Sequence, residues 1–249
     1  MTTAVTHPPL ADTQPPDRRA TFRRWLADDR SWLGAALLTT LLMGWGGEDA
    51  SPLAWINPVL FAVALAVRMI DHRRGQARAR LSPRGAALAF VAVSWVAGML
   101  VELTISTDGT GLGGMHPDTG PSFVLAQGYY VPAALFMWVM IRRYRLDVRW
   151  AFFCAGAMGW WEALTIGAVA LLSPAFVLAP LLAAYFVATY ALCAMAGLLV
   201  VDHHALHAAP SRPISRRRLL VYGAAGGAAC WAIFITWAVI AASLFGFDI

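Results

Sequence analysis

The sequence predicts an all-α, polytopic integral membrane bundle of seven transmembrane helices, with the N-terminus inside and the C-terminus outside. Three observations carry this expectation. Of the 249 residues, 59% are hydrophobic and 13% charged, whereas soluble domains carry about 25% charged residues. The apolar residues gather into seven runs, at 31–46, 53–70, 85–105, 122–141, 150–172, 174–201 and 219–246, and roughly 20 helical residues cross a hydrocarbon core of ~30 Å. The 19 basic residues are all arginine. They fall in the N-terminal stretch (Arg18, Arg19, Arg23, Arg24, Arg30) and at 68–84, 142–149 and 212–218. A seven-span path puts all these regions on one side, and an excess of Lys and Arg marks the cytoplasmic side. The other side carries Glu48, Asp49, Asp108, Asp118 and Asp248 and no arginine.

Residues 1–30 read as a cytoplasmic tail. Pro8, Pro9, Pro15 and Pro16 argue against the apolar core of a signal peptide. Phe22, Trp25 and Leu26 share one helical face among arginines, the pattern of a short helix lying on the membrane surface. Residues 31–249 form the transmembrane domain. Its first run is short and ends in Gly44, Trp45, Gly46 and Gly47, so a re-entrant segment is the alternative there. Were it not to cross, the arginines of the tail and of 68–84 would sit on opposite faces and the bias would collapse.

The third run holds Glu102 near its outer end, some 27 Å along the helix from Arg84 at about 1.5 Å per residue. A Gly-rich outer loop follows at 106–121. It is longer than a helix connection needs, and it offers Asp108, His116 and Asp118 as polar groups. The fourth run enters with Gln127, Tyr129 and Tyr130, then Pro132, a residue that kinks a helix and frees a carbonyl. The fifth carries Glu162, ~20 Å in from Arg149. An ionisable group at that depth is costly and faces the bundle interior or a wet cavity. It is either a functional centre or a protonated carboxyl bonding helices together. Trp160 and Trp161 beside it read as packing residues.

These placements predict an outward-facing polar pocket made by Glu102, Gln127 and Tyr129 or Tyr130, with the outer loop as lid and Glu162 as floor. Two weaker metal sites are conceivable. Asp108, His116 and Asp118 lie in one loop, and His203 and His207, four apart, fall at the same depth as Asp71 and His72. The bland alternatives are a solvated turn and histidines beside lipid phosphates. Small residues, among them Ala35, Ala36, Gly156, Gly159 and the stretch 224–228, permit close helix approach. Cys154, Cys193 and Cys230 lie within runs and behave there as small apolar residues.

Several chemistries are excluded. A retinal Schiff base needs a lysine, and the chain has none. A bis-histidine haem needs histidines within the spans. Gly109, Gly111 and Gly114 satisfy G-x-G-x-x-G, but that fingerprint works only between a strand and a helix of a βαβ unit. The basic balance is accounted for by loops at an anionic leaflet rather than by nucleic acid. The residues identify no particular cofactor, and which one the chain would take is unknown from the sequence.

Three function classes follow for what reads as a multi-pass protein of a bacterial inner membrane. The first is a binder of a lipophilic small molecule or a membrane protein partner. The second is an enzyme modifying a lipid or isoprenoid, with Glu102 and Glu162 as acid and base. The third is a proton-linked transporter or sensor titrating at Glu162.

Overall fold

A computed structural model describes residues 81–107, 118–146, 148–164, 187–193, 196–201 and 213–246. Every regular element among them is helical. We number the long helices α1 (Pro83–Thr107), α2 (Thr119–Tyr144), α3 (Val148–Met158) and α4 (Arg216–Phe245). Shorter helical pieces occupy 160–164 and 187–193, and a 3-10 turn covers Gly197–Leu199. Among the described residues three helices are long and apolar enough to cross a membrane: Pro83–Leu103 within α1, α2 and α4. They correspond to the third, fourth and seventh apolar runs. The first and second runs, the tail and most of the outer loop lie outside the described residues.

Polar or glycine caps bound α2 and α4, and α2 extends beyond its apolar run at both ends. Asp118 stands extended at the N-cap of α2, with φ −92° and ψ 134°, and its carbonyl accepts from Ser122 N–H. Arg145 closes the same helix in the left-handed region, φ 47°. Ser215 Oγ caps α4 by accepting from Arg218 N–H. Gly246 ends α4 at φ 71°, a conformation in which a Cβ is disfavoured. The outer loop is consequently shorter than 106–121. Helix α1 runs to Thr107 and α2 starts at Thr119.

Cross-helix contacts fix the directions. Glu102 meets Ser122, and Phe90 stands 5.5 Å from Trp138, so α1 and α2 are antiparallel. Tyr144 pairs with Tyr222, and Trp237 Nε1 donates to Val124 O at 2.7 Å, so α4 is antiparallel to α2. Helix α3 runs parallel to α4, because added Cβ atoms at Gly223 and Gly227 would strike the carbonyls of Cys154 and Met158 respectively. The Gly197 turn packs on Phe90 and Ser94 of α1, and Val187 packs on Gly156 of α3. The helices therefore ring a core centred on Phe90, Tyr129, Met137, Ile141 and Met158, all buried.

The small-residue stretch of the last run works as expected. Gly223 and Gly227 form a G-x-x-x-G face that lets α4 rest backbone on backbone against α3. Gly226, on another face, seats the ring of Phe136. The fifth run is interrupted where an unbroken span was expected. Helix α3 stops at Met158, Gly159 forms a turn with its N–H on Gly156 O at 3.1 Å, and the helix resumes at 160.

Candidate functional site

The helix directions gather the polar residues at two levels. Nearest the Asp118 end, Glu102 of α1 is buried to 1% exposure and accepts a hydrogen bond from Ser122 Oγ of α2. This carboxyl, near the outer end of its run, is enclosed between helices. One turn deeper, Gln127 is held by its surroundings. Its amide oxygen accepts from Trp95 Nε1 at 2.5 Å, and its nitrogen donates to Phe123 O at 2.8 Å and lies 3.0 Å from Met99 Sδ. Gln127 thus joins α1 to α2.

The second level is aromatic. Tyr129 lies about 16 Å from Asp118 along α2 and is buried to 1% exposure. Its ring meets Tyr190 edge-on at 5.2 Å, Tyr130 edge-on at 5.8 Å and Trp231 at 5.8 Å. Two glycines make this cluster sterically allowed. Tyr130 lies on Gly98, where a Cβ would collide with the ring, and Tyr190 lies on Gly159, where it would sit 2.7 Å from the ring. The turn at Gly159 also sets Glu162 beneath Tyr190, whose hydroxyl donates to the Glu162 carboxylate.

Between these aromatics lies a cavity of about 20 Å³, lined by Ser94, Tyr129, Tyr130, Tyr190 and Cys193 together with small and apolar side chains. Neither carboxylate nor Gln127 lines it. The residues expected to share one pocket are therefore distributed: Tyr129 and Tyr130 border the cavity, Gln127 faces α1, Glu102 pairs with Ser122, and Glu162 reaches the cavity only through Tyr190. Asp118 is an exposed residue at the start of α2. Asp108 and His116, and the histidine cluster of Asp71, His72, His203 and His207, lie outside the described residues. Among the described residues no group of three or more potential metal ligands comes together.

Sequence reading did not single out Tyr190, Ser94 or Ser122. Tyr190 carried a usable signal, a hydroxyl deep in an apolar run, where polar groups face inward. Ser94 and Ser122 carried none, since serine is common in membrane helices as a small residue. Trp161 donates its indole N–H to Ala224 O of α4 at 2.7 Å, which makes it a packing residue with a polar anchor. Comparison of the chain with family models, with curated proteins and with solved structures finds no match.

Proposed function

We propose that the chain is a proton-linked membrane protein, a transporter or a sensor, with Glu162 as the group that exchanges the proton. One observation carries the reading: a half-buried carboxyl on an apolar helix accepts its hydrogen bond from Tyr190, which in turn borders a water-sized cavity among tyrosines. Ionisable groups within membrane segments mark ion and proton paths. A space of about 20 Å³ suits a water, which needs roughly 10–15 Å³, and is far smaller than the pockets of about 300–1,000 Å³ that hold ligands. Its size favours proton handling over a lipophilic ligand or a lipid substrate at this place.

The same proposal takes the protein as a multi-pass component of a bacterial inner membrane with seven spans, N-terminus inside and C-terminus outside. The three long apolar helices and the arginine distribution support it. A second reading, association with a membrane protein partner, draws on α4. That helix exposes Val221, Ile235, Val239 and Leu244, and 17% of its apolar window is buried.

The test follows tryptophan emission, which Trp160 and Trp161 beside Glu162 make sensitive to its charge. Protein reconstituted in liposomes is titrated across the pH range, and the emission shows a transition that Glu162→Gln removes. An identical transition in the variant overturns the reading. Proton movement driven by a diffusion potential, read from a dye inside the vesicle, then separates a transporter from a sensor.

A further inference from the structure

The tyrosine cavity poses a problem of hydrogen bonding. Tyr129 Oη is buried and has no hydrogen-bond partner among the described residues. The Tyr129 and Tyr190 rings meet edge-on at 5.2 Å, and the Tyr129 hydroxyl makes no hydrogen bond to its neighbour. A bare hydroxyl in an apolar bundle is expensive, because buried polar groups are otherwise paired with protein or ordered water. Yet Tyr129 borders a cavity of about 20 Å³ that Ser94, Tyr130 and Tyr190 also line. An internal water requires about that much room and two to four polar partners. Both conditions are met at this place.

We infer that the cavity is a binding site for one internal water, which joins Tyr129 to the Tyr190–Glu162 pair. With Glu162 ionised, its carboxylate can only accept, and that sets a donor order. Tyr190 gives its O–H to Glu162, so its oxygen is left as an acceptor. Tyr129 then donates to the water, the water donates to Tyr190, and Ser94 supplies a further hydroxyl on the cavity wall. The connected row runs Tyr129, water, Tyr190, Glu162. Its functional meaning rests on the proton-linked reading, but its existence does not.

The experiment is a stability cycle on the full chain in detergent, read by thermal unfolding. Tyr129→Phe removes the hydroxyl, and Ala134→Val, on the cavity wall, fills the space. With a bound water, each substitution lowers the melting temperature, and Ala134→Val costs less in the Tyr129→Phe background because the water has already lost a partner. An unhydrated cavity gives the opposite signs: Tyr129→Phe raises the melting temperature by removing an orphaned hydroxyl, filling raises it again, and the two effects add. That result overturns the inference. Should Ala134→Val fail to fold, Ala133→Val fills the same cavity from the neighbouring position. A coupled cycle together with a pH transition that survives Glu162→Gln would keep the water and discard the proton-linked reading.

Discussion

The Tyr190 hydroxyl decides what kind of residue Glu162 is. A carboxyl in an apolar interior is tolerable when its oxygens are hydrogen-bonded, and Tyr190 is the donor that reaches it. Tyr190→Phe leaves the carboxyl short of that partner, and a buried group losing its hydrogen bond costs about 1–3 kcal/mol. Thermal unfolding in detergent should show that loss. The same substitution in a Glu162→Leu background should cost markedly less, since no carboxyl remains to be orphaned; equal costs in both backgrounds would mean the bond contributes nothing. Glu102 and Ser122 provide a parallel case at the other level, with Ser122→Ala expected to destabilise through the buried Glu102 carboxyl. The sequence indicated Glu162 by its depth in an apolar run, and Glu102, Tyr129 and Tyr130 by their gathering near the outer ends of two successive runs. It did not indicate their partners. Which hydroxyl meets which carboxyl depends on helix rotation, and in a chain this uniformly apolar no hydrophobic face reports rotation.

At the scale of helices, packing here is a matter of glycine against backbone. Gly223 and Gly227 allow α4 to touch the carbonyls of α3, and an added methyl at either collides with main chain that has no rotamer to relieve it. Gly227→Ala is expected to destabilise by about 1–3 kcal/mol, the usual cost of overpacking, despite alanine's better helix propensity. Gly120→Ala makes the control, because nothing lies within 4 Å of a Cβ there, and it should be neutral or mildly stabilising. Gly98→Ala tests the site through the same physics. Its methyl would collide with the Tyr130 ring, so it should displace that ring and alter the tyrosine cluster as well as stability. The small-residue stretch and the apolar runs made these helices and their close contacts legible. The break at Gly159 was not, since a glycine inside an apolar run reads equally as a contact point or as a turn. In the structure it is both, a turn with its N–H on Gly156 O and a seat for the Tyr190 ring.

For the whole molecule, the antiparallel and parallel pairings have an electrostatic consequence. Helix α1 begins at Arg84, α2 ends at Arg142, Arg143 and Arg145, and α4 begins at Arg216, Arg217 and Arg218. With α2 antiparallel to both α1 and α4, all these arginines fall at one end of the bundle, where Arg216 also lies over the Trp150 ring at 5.1 Å. Asp118 and the Gly246 cap mark the other end. A basic end of this kind is retained at the cytoplasmic, anionic leaflet. Thiol labelling tests the resulting orientation on a quiet background, because Cys154, Cys193 and Cys230 are all buried. In intact spheroplasts a membrane-impermeant maleimide should modify Asp118→Cys and spare Arg143→Cys, both exposed positions at opposite ends. Permeabilisation should then open Arg143→Cys to the reagent. The reverse pattern would invert the bundle and turn Glu102 and Ser122, near the Asp118 end, toward the cytoplasm. Any proton reaching Glu162 would then arrive from the opposite compartment, so the labelling fixes which side a proton-linked mechanism serves.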